Sequence, residues 1–222
     1  MKLVVVSAGL GVPSSTRLLG DRPAAATAAQ APVDVQVVEL RDLAVEIAHN
    51  FTNGFPGRAL AGAFDAVAGA DGLIVVTPVV PEARLDAVSA SYSGLFKSFF
   101  DALSVSDPEA LAGKPVLIAA TGGTARHSLV LDHTPPRSTS LARGDPHRPL
   151  FSHLKAVVVP TGVYAASEDW GAEGLDGRVE RAAGELVALT AGPATARPLP
   201  RRDSFEEVTP FEERLAALRP TG

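Results

Sequence analysis

The chain has 222 residues, 46% of them hydrophobic and 20% charged, with a formal net charge of −5 at pH 7. That length fits one core of ordinary size, and the apolar fraction excludes a disordered chain. The acidic balance leaves no basic field for nucleic acid, and the absence of cysteine excludes disulfides, thiolate nucleophiles and Cys-ligated metals.

The apolar run at residues 3–6 stops at Ser7, short of the roughly 7–15 residues of a secretory h-region, and is read as a strand. No run approaches the ~18 apolar residues of a membrane span, so a soluble, cytoplasmic protein is expected, with no membrane partner. Residues 14–29 are predicted to be helical, with Pro23 removing one hydrogen bond or kinking the helix. Residues 33–40 alternate in part, with Asp34, Gln36 and Glu39 polar, and read as an edge strand. A helix over 59–70 carries Leu60, Phe64 and Val67 on one face, and a strand follows at 73–76. The stretch 79–90 is longer than the usual strand-to-helix loop. The helix predicted over 93–103 carries Leu95, Phe96, Phe99, Phe100 and Leu103, and a fourth strand lies at 116–120. Residues 134–148 read as an exposed loop, 156–159 as a fifth strand and 173–189 as a last helix. After Ala191 comes a proline-punctuated tail. Its closing helix is announced by Thr209 at the N-cap, Pro210 at N1 and Glu212 at N3.

Near-continuous Val- and Ile-rich runs mark strands buried on both faces, and strands alternating with helices mean right-handed parallel crossovers. The expectation is an α/β fold, a flavodoxin-like doubly wound sheet of five parallel strands with a C-terminal extension. Residues 1–190 would form the domain, and 191–222 a tail that packs on it or on a partner subunit.

Ligands of such sheets bind beyond the strand C-termini, so the segments after each strand are the candidates. After the first strand, Ser7, Gly9, Ser14, Ser15 and Thr16 lead into a helix N-terminus beside Arg17, a combination suited to a phosphate monoester. A dinucleotide fingerprint Gly9-x-Gly11-x-x-Gly fails because residue 14 is Ser, and neither a P-loop nor a Gly-x-Ser-x-Gly elbow occurs. After the third strand come Thr77, Pro78 and Val79, then Ser91, Tyr92 and Ser93 before a helix, where Tyr92 could stack on a flat ligand. After the fourth come Thr121, Gly122, Gly123 and Thr124, whose glycines admit close backbone contact, with Arg126 beyond them. His127, Asp132 and His133 are spaced poorly for a metal, and no metal is expected. Glu168-Asp169-Trp170 reads as a loop against a partner subunit.

Together these segments resemble the NAD(P)H-dependent FMN reductase family, and within it the actinobacterial reductases that partner luciferase-like monooxygenases. The resemblance is carried by residues 77–79, 89–101, 119–127 and 162–171 and by the tail 204–220. It implies FMN and NADPH (or NADH) as cofactors and a hydride passing from the nicotinamide to flavin N5, with no catalytic side chain needed. It also implies reduced flavin supplied to a flavin-dependent monooxygenase and a homodimer or homotetramer. Ser7, Ser14 and Thr16 would hold the FMN phosphate, 77–79 and 91–93 would line the ribityl chain and one side of the ring, and 121–124 would meet its other edge. The chain departs from the family by inserting 80–89 and 134–147. Two further readings stay open: a quinone, azo or chromate reductase with bound FMN, and a non-enzymatic flavodoxin-like carrier.

Overall fold

The computed structural model describes residues 1–80, 91–123, 147–171 and 173–192. Met1–Ala191 form one compact unit; the second unit, Gly192–Gly222, lies outside the described residues beyond its first residue, as does the helix expected after Thr209.

Strand β1 (Lys2–Ser7) leads to helix α1 (Ser15–Gln30), β2 (Asp34–Glu39), α2 (Leu40–Asn53) and α3 (Arg58–Ala68). Then come β3 (Gly72–Val80), a two-residue β4 (Ser91–Tyr92), α4 (Gly94–Ser106) and β5 (Pro115–Gly122). The order closes with α5 (His147–His153), β6 (Val157–Val158), β7 (Val163–Ala166), a 3-10 turn at Ser167–Gly171 and α6 (Glu173–Ala191). The sheet runs β2-β1-β3-β5-β6, with β7 also on β5, and every pairing is parallel except the short β3–β4 ladder. This is the flavodoxin-like strand order, with β2 at the edge as its mixed pattern predicts.

Residues alternate between two cores because strand side chains alternate in direction. Val4, Val6, Leu73, Val75, Val116 and Ile118 pack on the side of α2, α3 and α4, around Phe96, Phe99, Phe100 and Phe151. Leu3, Val5, Ile74, Val76, Leu117 and Ala119 pack on the other side with Leu19 of α1 and Leu175, Val179 and Leu186 of α6. Helix α1 approaches the sheet closely at Gly20, where an added Cβ would stand 3.0 Å from Val5 and 3.1 Å from Val76. Pro23 stays within α1, and the Thr27 hydroxyl donates to its carbonyl at 2.7 Å.

Four local expectations need correction. The strand read as ending at residue 40 stops at Glu39, and Leu40 opens a helix whose Leu40, Leu43 and Ile47 are buried. Gly54, at φ 79°, ends that helix in the left-handed conformation that glycine tolerates. The fifth strand is two pieces: pairing shifts by two residues between Val116↔Val158 and Ala119↔Val163, around Pro160, which has no N–H for the ladder. Val79 and Val80, read as the start of the long loop, continue β3, where they pair antiparallel with Tyr92 and Ser91. His147 and Arg148, read as the end of an exposed loop, are helical; residues 134–146 of that loop and 81–90 of the other lie outside the described residues.

Candidate functional site

A cleft of about 340 Å³ opens at the C-terminal ends of β3, β5 and β7, lined by Ser15, Pro78, Val79, Thr121, Gly122, Gly123, Ala165, Ser167 and Trp170. Parallel strands end there together, and Ser15, the first residue of α1, borders it.

Its first wall is the turn from β1 into α1. Ser7 is buried, and its Oγ has no hydrogen-bond partner among the described residues. Gly9 is required by contact: a Cβ there would lie 2.0 Å from Ser14 Oγ and 3.0 Å from Thr16 Cβ. With that space open, Ser14 caps α1, its hydroxyl accepting from the Arg17 N–H at 3.2 Å. The first helical N–H groups, at Ser15 and Thr16, are ones that a helix leaves without internal acceptors, and no acidic residue sits in this first turn. Arg17 does not serve as a free cation here. Its Nε donates to Asp21 at 2.9 Å and its Nη1 to Glu39 at 3.1 Å. Arg41 Nη1 donates to the Gly11 carbonyl at 2.7 Å and ties the turn to α2.

The second wall is the end of β3. Pro78 and Val79 border the cleft, whereas Thr77 is buried and used by the scaffold. Its hydroxyl accepts from the Ser93 N–H at 3.2 Å and donates to the Pro78 carbonyl at 3.2 Å. Ser93 in turn caps α4 by accepting from the Phe96 N–H. The side chains of Ser91 and Tyr92, and Thr124, Arg126, His127, Asp132 and His133 as whole residues, lie outside what is described.

The third wall is the end of β5. Thr121 meets Thr16, oxygen to oxygen, at 3.0 Å, both residues buried, so a single hydrogen bond joins two walls of the cleft. Gly122 sits against Tyr164, where a Cβ would come within 1.9 Å of the phenol oxygen. Burial pushes the Tyr164 phenol up to about 12, with the carboxylates of Glu168 and Asp169 adding to the shift, so it stays protonated in the working pH range. Gly123 is exposed.

The last part is made by Ala165, Ser167 and Trp170, none of which the sequence marks as a ligand residue. Trp170 borders the cleft. The pairing of β7 with β5 carries the turn after it to this position. Asp169 shapes that turn by accepting from the Ala166 N–H at 2.9 Å.

A model of the family described as NADPH-dependent FMN reductase matches residues 1–171. The chain belongs to that family. Like other NADPH-dependent FMN reductases it is an NAD(P)H:FMN oxidoreductase, with FMN and a nicotinamide dinucleotide as its cofactors. It is 36% identical to an FMN reductase (NADPH) of Pseudomonas aeruginosa over 86% of this chain and 93% of that one. It is 34% identical to an NADH-dependent FMN reductase, SfnF, of Pseudomonas fluorescens over 87% and 91%. Among solved structures, an oxidoreductase from Corynebacterium diphtheriae superimposes with TM-score 0.72 at 41% identity, covering 87% of this chain and 98% of that one. An NADH:FMN oxidoreductase in its apo form gives TM-score 0.70 at 26% identity, over 91% and 99%. Among the described residues no helix is long and apolar enough to cross a membrane.

Proposed function

We propose that FMN lies in this cleft with its phosphate at the N-terminus of α1 and its ring along Pro78–Val79 and Gly122–Gly123, and that the protein supplies reduced flavin to a monooxygenase. The observation that carries the reading is the buried Ser7 Oγ, unpaired among the described residues, at the start of a glycine-spaced turn that leads into an acid-free helix start. A buried hydroxyl left unpaired is disfavoured by about 1–3 kcal/mol, which an anionic oxygen would relieve. A helix N-terminus adds roughly 0.3–1 kcal/mol for an anion.

The residues divide by task. Ser14 accepts from Arg17 and keeps its own O–H to donate, and Ser15 presents a hydroxyl at the cleft edge. Thr16 and Thr121 hold the two walls together and so position the donors on either side. Thr77 and Ser93 fix the end of β3 against α4. Pro78, Val79 and the two glycines offer a flat, side-chain-poor surface to a ring. FMN held here would supply the hydride-accepting chemistry, which leaves the protein to bind, orient and exclude water.

The supply role is favoured by the commitment of Arg17 to Asp21 and Glu39. A phosphate held by neutral N–H and O–H groups at this turn is held less tightly than one in an Arg fork, and it suits a flavin that enters and leaves. The test is NADPH oxidation by the purified protein with and without added FMN, before and after desalting. Expected is oxidation that saturates with free FMN and is lost on desalting. Flavin retained through desalting, with turnover of a quinone and no need for free FMN, would favour the bound-flavin quinone reductase. Replacing Ser14 and Thr16 together by Ala should weaken FMN binding severalfold; unchanged affinity would move the phosphate elsewhere.

A further inference from the structure

We infer that Trp170 is a flavin-positioning residue: its indole is the aromatic wall against which the flat ring in the cleft settles. This rests on the cleft being the flavin site. Trp170 is the chain's only tryptophan. It borders the cleft, and the rest of the described lining is aliphatic, hydroxyl or glycine.

The indole is held from behind. The Arg22 guanidinium stands 5.2 Å from the ring centroid, and Arg22 Nη1 donates to Asp176 at 3.0 Å, so α1 and α6 both brace it. The side chain is partly buried against the apolar core on that side of the sheet. The turn that carries it is pinned by Asp169, which accepts from the Ala166 N–H and lies 3.8 Å from Arg178 Nη2. A large ring fixed in this way loses little rotamer freedom when a ligand arrives, so more of its contact appears as affinity. It also sets how far the flavin can enter, because Arg22 and the core back the indole on the side away from the cleft. Stacking is the interaction expected between two flat ring systems in such contact.

The test uses the full chain with FMN as the probe, its free concentration counted by ultrafiltration so that affinity is read independently of emission. The emission of bound FMN is measured beside it, because an indole in contact quenches an excited flavin and a phenyl ring does not. Expected for Trp170→Ala is a Kd about tenfold higher, the scale of one lost aromatic stack. Expected for Trp170→Phe is a Kd within about threefold of the parent, with bound FMN at least twofold brighter. An unchanged Kd in Trp170→Ala overturns the assignment while leaving the cleft as the flavin site. A Kd raised in both variants with bound-FMN emission unmoved makes Trp170 structural and overturns it equally. If the parent protein binds no FMN even at saturating free FMN, the reading of the cleft fails and this inference falls with it.

Discussion

The Thr16–Thr121 hydrogen bond offers the sharpest test of how the cleft is built. These residues are 105 positions apart, 3% and 6% exposed, and their hydroxyl oxygens lie 3.0 Å from each other. Thr16→Val keeps the branched shape and deletes the hydroxyl, which strands Thr121 Oγ1 in a buried place. The net hydrogen bond is worth about 1 kcal/mol and the stranded group about 1–3 kcal/mol, so a loss of about 2 kcal/mol is expected. At this chain length that lowers the melting temperature by roughly 4–8 °C. Thr121→Val should cost about the same. With both replaced, no polar group is left unpaired, and the double variant should lose about 1 kcal/mol or less. The cycle therefore gives a coupling of about 3 kcal/mol, at the upper end of the range for residues in direct contact. Urea unfolding of the four proteins reads it from the midpoints at constant slope. If the two single losses simply add in the double variant, the hydroxyls do not meet, and the argument that one bond ties α1 to β5 is wrong.

Three more expectations follow from other parts of the fold. Gly122→Ala drives a methyl into the Tyr164 hydroxyl, so it should destabilise the protein by roughly 1–3 kcal/mol, and adding Tyr164→Phe should recover a measurable part in the same unfolding assay. Phe100 packs with ring centroids 4.9, 5.2 and 5.0 Å from Phe96, Phe99 and Phe151, so Phe100→Ala should cost about 3–5 kcal/mol; a loss below about 1 kcal/mol would mean that the cluster closes over the void. The Lys114 ammonium donates to the Val67 and Ala68 carbonyls at the end of α3, and burial pushes it down to about 8, against the pull of Asp71 and Asp107. Its value when unfolded is 10.5, so between about pH 8 and 10.5 the unfolded chain binds the extra proton and stability gains with rising pH. The parent protein should gain on Lys114→Met as the pH rises from 8 to 10, and parallel pH curves for the two would refute that shift.

Much of this architecture was legible in the chain alone. Val4, Val5 and Val6 are consecutive and apolar, a run that suits a strand buried on both faces, and the fold places them alternately in two cores. The phenylalanine stripe of α4 and the hydroxyl-rich entry to α1 are likewise local patterns, read from spacing before any contact is known. Helix α2 carried its own signal in Leu40, Leu43 and Ile47 with Asn53-Gly54 behind them, but its start directly on the last residue of β2 hid the boundary.

What the tertiary structure alone decided is partnership across sequence distance. The interruption of the fifth strand depends on register against β5, which no single segment encodes. Arg17 looked like an anion ligand by proximity, yet Glu39 on the neighbouring strand takes it, because parallel pairing sets Glu39 beside Ser7. Trp170 reaches the cleft through the pairing of β7 with β5, and Thr121 meets Thr16 because two strand ends converge. Local sequence determines which residues have helical or strand periodicity and which turns can receive an anion, since those depend on neighbours along the chain. Which side chains face one another across the cleft depends on strand order and register, and these are properties of the whole sheet.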